Sequence, residues 1–405
     1  MRLHPPLILE AVFFLWCTMP FLLYEIRSRQ WKKKFVLQRP QSIVKEQSLV
    51  LLLPVWNEER LIERKLNDLA SQGVRASLLL IDSASTDRTL VKAQDWLKRH
   101  PQAFTQVKIV TMSKRLGKSS AVQLALKHIQ TDFKHDIVCM TDADATLEND
   151  ALKRMMAWFS EKQIGAVGAL PNRQSQRRDE ELHRTFWDEW RVRESYLDST
   201  PFLEGSCMMW RSELVFPDDI RTQSNADDTQ IALAVRTKGY RAIVDEEIHF
   251  SDIAPWSRSE QSKQKIRRGQ GLQRALLRYR PVMISNNIGE FRKVFRMQFH
   301  ALILAPLLIV LTISVMLVRW VQYFLFGTPT PIFDTVLTMV EILFLSGLIL
   351  IRYLKTNIPI VTLAGAWFSS MLFLQRGLFD IVRGKSHHMW DQLSEPRMLD
   401  VEFDL

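Results

Sequence analysis

Cysteine is scarce in this chain of 405 residues: there are three, Cys17, Cys139 and Cys207, odd in number and far apart. They cannot all pair, so no disulfide framework is possible, and no C-x-x-C spacing offers a thiolate metal site. They read as small buried apolar residues of a protein in a reducing compartment. Glycine and proline are also few, at 14 and 16, which excludes a collagen-like or linker-dominated chain. A complete P-loop is missing too. Gly117-Lys118-Ser119 supplies the Gly-Lys pair, but the glycine needed five residues earlier is Met112, and without it the chain cannot wrap the phosphates. No internal repeat or low-complexity segment is present.

What is there is unevenly distributed. Hydrophobic residues make up 47% and charged residues 24%, with 54 Lys+Arg against 44 Asp+Glu for a net charge of +10. The middle looks soluble and both ends carry long apolar runs, which excludes disorder and a purely soluble enzyme. Pro5 to Tyr24 holds one charge, Glu10, and is long enough to span a bilayer as a helix. It has neither the basic start nor the small-residue cleavage site of a signal peptide. Arg27, Arg29, Lys32, Lys33 and Lys34 follow it, so the next segment is expected in the cytosol. Phe299 to Val318, Ile332 to Ile351 and Ile358 to Leu374 are further candidates. The third raises a conflict, because a full span would carry Arg383 and Lys385 outside, whereas a re-entrant or interfacial helix would keep them inside. Asp334 lies near an end of its segment and can snorkel, and Glu341 is expected to pair between helices or to act in a relay.

Between the ends, apolar runs alternate with amphipathic stretches. Ser48–Val55 reads as a doubly buried parallel strand. Glu59–Gln72 follows as a helix with Leu61, Ile62, Lys65, Leu66 and Leu69 on one stripe. Ser77–Ile81, Val107–Met112, Asp136–Thr141 and Ile164–Leu170 continue the strands; Thr86–His100, Ser119–Gln130 and Asn149–Ser160 the helices. This is an α/β pattern with crossovers and a parallel sheet. Ligands of such sheets bind at the carboxyl ends of the strands. There the chain places PVWNEE (Pro54 to Glu59), DSASTD (Asp82 to Asp87), RLGK (Arg115 to Lys118) and DAD (Asp142 to Asp144). Any one could be a turn or a helix cap. Together they suit a phosphorylated ligand: Lys118 as a point charge on a diphosphate, and Asp142 with Asp144 sharing a hard cation such as Mg²⁺ or Mn²⁺.

These motifs, in this order, resemble those of family-2 glycosyltransferases with a GT-A fold, a Rossmann-like domain with a mostly parallel sheet. Asp227 and Asp228, followed by Lys238-Gly239-Tyr240, look like the family's acidic-pair loop and its helix. Gln264, Arg267 and Arg268 look like its Q-x-x-R-W motif, with Arg268 in place of the tryptophan that belongs to the acceptor platform of processive members. Phe202 to Ser206 resembles the acceptor-terminus loop, with Glu204 where some processive synthases have cysteine. The resemblance covers about residues 48–280, and the flanking spans are similar to those of chitooligosaccharide, hyaluronan and related polysaccharide synthases.

The resemblance implies an inverting, metal-dependent transfer from a nucleotide sugar, a UDP-sugar, to a polysaccharide or a lipid-linked acceptor. It implies that Pro54, Asn57, Glu58 and Asp82 line the nucleoside pocket, with Asp82 reading the base. Lys118, Asp142, Gln264, Arg267 and Arg268 would face the diphosphate. Asp144, with Asp142, would hold the metal. Asp228, beside Asp227, would act as general base, and Glu204, Gly205 and Ser206 would meet the acceptor. The expected organisation is 1–30, an N-terminal span and basic flank; 48–250, a cytosolic GT-A domain; 251–297, basic interfacial helices; 298–380, C-terminal spans; and 381–405, a polar tail. The expected location is the cytoplasmic membrane, multi-pass. Two other classes compete. A non-catalytic scaffold with this fold has no physical need of three clustered carboxylates, and a transporter needs more spans.

The remaining features have plainer readings. The arginines from Arg177 to Arg193 among acids, with Trp187 and Trp190, read as helical charge pairs, or as an amphipathic cover for the acceptor cleft or the bilayer surface. Arg258 to Arg280 is basic enough for nucleic acid, but beside apolar spans it reads as an interfacial helix on anionic lipid, so no nucleic-acid partner is expected. His249 is expected to be a structural histidine, and His387-His388 part of a solvated tail.

Overall fold

The computed structural model describes residues 5–40, 47–133, 135–172, 178–252, 258–327, 331–354 and 359–386. The sheet is built around β1 (Leu49–Val55). Its residues alternate between two cores. Leu49, Leu51, Leu53 and Val55 pack on one face, and Val50 and Leu52 on the other. That double burial is why the strand reads as a continuous apolar run. After β1 come α2 (Ile62–Ser71), β2 (Ala76–Asp82), α3 (Thr89–Arg99), β3 (Val107–Thr111), α4 (Lys118–Asp132) and β4 (Ile137–Thr141). The stripe of α2 is buried as its spacing requires, including Lys65, whose ammonium reaches Asp68 at 3.0 Å and the Ala145 carbonyl at 2.7 Å.

The second half is less regular: β5 (Ala145–Leu147), α5 (Ala151–Ala157), β6 (Ile164–Pro171), α6 (Arg178–Leu197), β7 (Cys207–Arg211), α7 (Asp227–Thr237) and β8 (Arg241–Asp252). The strand order is β3-β2-β1-β4-β7-β6-β8-β5. The first four are parallel. β7 then runs antiparallel to both β4 and β6, and β5 antiparallel to β8. The sheet is therefore mixed: β6 and β8 also pair parallel in its second half, and the β-α alternation visible in the sequence belongs to β1 to β4. β7, with the sequence CMMWR, is buried from Cys207 to Trp210 and carries no alternation to announce it.

Helices make up the rest: α8 (Arg258–Arg278), α9 (Phe291–Phe299), α10 (Ala305–Phe326), α11 (Pro331–Leu354) and α12 (Pro359–Val382). They join α1 (Pro5–Lys34). Among the described residues two helices are long and apolar enough to cross a membrane, Pro5–Lys34 and the continuous Phe291–Phe326. The latter contains a π-helical turn at His300–Leu304. Pro306 has no N–H to return to the Leu302 carbonyl, and Gln273 of α8 donates to that carbonyl instead, at 2.8 Å. The same Gln273 amide donates to the Leu374 carbonyl of α12 at 2.9 Å.

The third C-terminal segment is longer than its apolar run, 24 residues rather than 17, because the helix continues to Val382. Its end lies against the sheet domain. The Lys385 carbonyl accepts from Gln270 (3.0 Å) and Arg274 (2.8 Å), and Ser386 donates to the Gln223 carbonyl (2.9 Å). Arg383 and Lys385 thus stay on the sheet-domain side.

Asp334 does not snorkel. It is fully buried, 3.4 Å from Arg319, whose guanidinium also meets Glu10 of α1 at 2.7 Å and Glu341 at 2.5 Å. One arginine thus ties α1, α10 and α11 in an apolar setting. Replacing Arg319 by Met leaves three carboxylates there without their cation. The expected loss is about 3–5 kcal/mol, read as a lowered unfolding temperature in lipid nanodiscs. Glu10→Gln, which keeps two of the three pairs, is expected to lose much less.

Candidate active site

The strand-end loops hold one another. Asn57 sits at a left-handed φ of 54°, which asparagine tolerates better than most residues. There its side-chain oxygen accepts from the Thr86 N–H at 2.7 Å, and its own N–H donates to Ser85 Oγ at 2.9 Å. The Glu58 N–H donates to Thr89 Oγ1 at 2.7 Å, and Pro54 pairs with Ile81 in the sheet. Asp82 is fully buried, and its carboxylate accepts from the Ser85 N–H at 3.2 Å. It therefore shapes the loop in which a base would lie. The Arg115 guanidinium stacks over the Trp56 ring at 3.4 Å, joining the loop after β3 to the loop after β1.

Next to them is a charged cluster. Gly117, at a φ of 87°, turns the chain into α4, so that Lys118 opens the helix. Its ammonium lies 2.6 Å from Asp142 Oδ1 and 3.9 Å from Asp227 Oδ2. Burial works against the Lys118 charge, but Asp142 and Asp227 hold it above the ordinary lysine range. Asp142 also accepts from Ser206 Oγ at 3.2 Å. Asp144 lies half-buried two residues on. Asp227 and Asp228 open α7, where the helix dipole favours negative charge. The buried Asp227 accepts from Ser119 Oγ at 3.3 Å, and Asp228 from the Thr229 N–H at 2.6 Å. Burial first, then the Asp227 and Glu204 charges, push the Asp228 carboxyl up to about 7.

The loop before β7 forms the facing wall. A Cβ on Gly205 would lie 2.9 Å from the Lys118 nitrogen and 3.7 Å from Asp228 Cβ. Glu204 is bound by Arg191 of α6 at 2.7 Å, and Arg191 also pairs with Asp188. Lys118, Asp142, Glu204, Gly205, Ser206, Asp227 and Asp228 are thus brought together. Gln264, Arg267 and Arg268 lie on α8. That helix meets the loop ahead of Asp227 further along, through Arg274 on the Gln223 carbonyl (2.7 Å) and Ser224 on the Gly271 carbonyl (3.3 Å).

Spacing alone missed Arg191. It makes the helical pair expected of it, but the same guanidinium reaches the site, and nothing in an i,i+3 pattern tells one arginine from the next. The backbone N–H of His249 in β8 donates to Glu148 at 3.2 Å, and the His249 ring lies 3.5 Å from the same carboxylate. All three cysteines are free and buried. His387, His388 and Arg177 lie outside the described residues.

The donor set suits a hard cation as far as it goes. Asp142 and Asp144 offer oxygens only. Among the described residues no group of three or more His, Cys, Asp or Glu is arranged to hold a metal ion by itself, so donor phosphates and water would complete the shell.

Comparison with known proteins places the chain among glycosyl transferases. A family model described as Glycosyl transferase family 2 matches residues 50–215, and one described as Glycosyl transferase family group 2 matches residues 137–354. Beta-monoglucosyldiacylglycerol synthase of Synechocystis sp. is 30% identical over 129 residues, 31% of this chain and 26% of that protein. Dodecaprenyl-phosphate galacturonate synthase of Rhizobium johnstonii is 28% identical over 134 residues, 30% of this chain and 39% of that protein. The matches therefore span well under half the length of these relatives. A mannosyltransferase from Pyrobaculum calidifontis, solved in complex with GDP-Man and Mn²⁺, superimposes with a TM-score of 0.69. It is 23% identical, over 92% of this chain and 99% of its own, and the likeness is one of fold.

The close approach of Gly205 gives a test that separates site from fold. Gly205→Ala brings its methyl to 2.9 Å from the Lys118 nitrogen and 3.4 Å from Met140 Cε, both far ends of flexible side chains, so the unfolding temperature is expected to fall only slightly. The displaced Lys118 amine is expected to weaken nucleoside diphosphate binding about tenfold, measured by calorimetry.

Proposed function

We propose, from the premise that this chain belongs to the family-2 glycosyl transferases, an inverting transfer of a sugar from a nucleotide sugar to a polysaccharide or lipid-linked acceptor at the membrane. The observation that carries this reading is the cluster at the strand ends: one buried ammonium between Asp142 and Asp227, with Asp228 beside them. It offers a cation for a diphosphate and a base for a hydroxyl within one crevice.

In this reading Asn57, Glu58 and Asp82 shape the nucleoside pocket, and a UDP-sugar is the donor. Lys118 binds the diphosphate, exchanging part of its contact with Asp142 for phosphate oxygens. Asp144 and Asp142 hold Mg²⁺ or Mn²⁺, which when bound supplies Lewis-acid stabilisation of the leaving diphosphate. Gln264, Arg267 and Arg268 sit over the diphosphate, closing the site and adding positive charge. Asp228 takes the acceptor proton, and attack opposite the leaving group inverts the anomeric carbon. The protein is placed in the cytoplasmic membrane with residues 48–250 in the cytosol. Supporting this are the two long apolar helices, the lysines that end α1, and the return of α12 to the sheet domain. The multi-pass arrangement over 298–380 belongs to the same proposal.

The test is nucleotide release by the purified chain in liposomes, with UDP-sugars and GDP-sugars offered side by side, with and without EDTA. Release from one donor, abolished by EDTA and lowered about 10²–10⁴-fold in Asp228→Asn, is the expected result. Turnover that survives EDTA and Asp144→Ala would remove the metal from the mechanism.

A pH profile provides an independent check. A base acts only when deprotonated, and Asp228 is pushed up to about 7. The value of kcat/KM is therefore expected to rise with pH below about 7 and to level off above it. Glu204→Gln removes a neighbouring negative charge, so its limb is expected at lower pH.

A further inference from the structure

The turn that carries Asp142 and Asp144 has unequal support at its two ends. Asp142 follows β4, which has a neighbouring strand on each side, and its carboxylate is held by Lys118 at 2.6 Å and Ser206 at 3.2 Å. Asp144 leads instead into β5, a strand of three residues at the edge of the sheet, whose neighbour is β8. An edge strand presents unpaired N–H and C=O groups along its outer side. In β5 those groups belong to Ala145 and Leu147, because alternate residues aim their backbone groups to opposite sides, and the Glu148 N–H turns to the His249 carbonyl of β8. A helix meets them. The Ala145 carbonyl, one residue on from Asp144, accepts from Lys65 Nζ of α2 at 2.7 Å, and the Leu147 N–H donates to Asp68 at 3.2 Å. Lys65 and Asp68 are themselves paired at 3.0 Å.

A charge pair is an expensive choice at this place. The Lys65 side chain is fully buried and stands in the apolar stripe of α2 with Ile62, Leu66 and Leu69. An apolar residue of similar volume would fill that space without taking an ammonium out of water. What it would not do is donate to the Ala145 carbonyl, just as an apolar residue at 68 would not accept from the Leu147 N–H. Neighbouring positions of α2 serve the same stretch of chain. Arg64 donates to Thr146 Oγ1 at 3.0 Å, and Gln72 donates to the Glu148 carbonyl at 3.1 Å while accepting from the Leu152 N–H at 3.3 Å. Four side chains of one helix thus fix the segment that Asp144 enters.

Resting on the glycosyl-transfer reading above, in which Asp144 and Asp142 hold Mg²⁺ or Mn²⁺, we propose that Lys65 and Asp68 are positioning residues for that pair. They fix the peptide that follows Asp144 and so set where its carboxylate stands relative to Asp142. Neither is a ligand. The turn is tight, with the Ala145 N–H on the Asp142 carbonyl at 3.3 Å, so a shift of Ala145 is passed on to Asp144. Two carboxylates one residue apart serve a hard cation only when their oxygens face it together. Groups that orient metal ligands from behind are typically worth about 10–100-fold in metal affinity.

The experiment reads Mn²⁺ binding directly, from the paramagnetic resonance signal of the free ion, with the full chain in lipid nanodiscs and UDP or GDP present. Lys65→Met leaves Asp68 buried without its cation, so Lys65→Met/Asp68→Leu, which removes both charges, is measured beside it. Mn²⁺ affinity is expected to fall about 10–100-fold in both, while nucleoside diphosphate affinity in EDTA, measured by calorimetry, stays unchanged. Leu69→Ala opens a cavity under the same helix; it is expected to lower the unfolding temperature and to leave Mn²⁺ affinity as in the wild type. Either Lys65 variant, folded and binding Mn²⁺ as tightly as the wild type, would overturn the proposal. So would an equal loss of Mn²⁺ affinity in Leu69→Ala, because the effect would then follow stability and not the held peptide. A wild-type chain that binds nucleoside diphosphate, but Mn²⁺ no more tightly than Asp144→Ala does, would end the proposal and leave glycosyl transfer standing. Failure of the wild-type chain to bind any nucleotide would instead remove the reading on which the proposal rests.

Discussion

The ammonium of Lys118 is the charge on which the crevice depends. The sheet delivers Asp142 at the end of β4, and α7 delivers Asp227 and Asp228 at its first turn. Packed without a cation, these carboxylates would repel one another, and the half-buried chain could hold them ionised only at high cost. Lys118, turned into α4 by Gly117, lies between two of them. That leaves Asp228, the carboxylate further from the amine, with the raised affinity for a proton that a general base uses. The pairing and the reactivity are one arrangement: a lysine satisfied by Asp142 and Asp227 does not fully neutralise the third acid.

The same economy links the site to the apolar helices. α6 turns Asp188 and Arg191 towards the acid cluster and Trp190, Arg193 and Glu194 towards α1. Burial pushes the Glu194 carboxyl up to about 7, against hydrogen bonds from Thr200, Gln298 and Tyr24. A carboxyl group so enclosed ties α1, α6 and α9 together, because moving α1 or α9 would remove one of its donors. α8 does the corresponding work on the other side. Its Gln273 ties the proline-opened turn below α10 to α12, and its Arg274 ties α12 to the loop that carries the acid pair. The apolar helices are therefore part of the frame that holds α6 and the acid-pair loop in place.

Much of the fold was legible because the first half of the sheet obeys local rules. β1, β2 and β4 are buried on both faces and read as apolar runs, and α2 carries a stripe at helical spacing. The strand-end motifs were legible for the same reason, since a β-α alternation fixes where the strands end. The antiparallel half was harder. β5 has three residues, β7 is too short to show a period, and both pair only with strands distant in the sequence. The apolar ends were legible as runs, but their arrangement was not. Arg319 lies one residue beyond an uncharged stretch, and only packing shows that Glu10, Asp334 and Glu341 all turn to it.

The sequence by itself determined the α/β class, the apolar ends, the strand-end loops and the residue types able to bind a diphosphate and take a proton. These follow from local periodicity and from the short reach of a loop between strand and helix. Tertiary structure alone decided that Lys118 sits between Asp142 and Asp227, that Arg191 turns into the site to hold Glu204, and that α12 ends beside the acid-pair loop. Ion pairs and burial depend on which segments meet across the sheet. Side chains far apart in the chain acquire their charge balance only once packing removes the water between them.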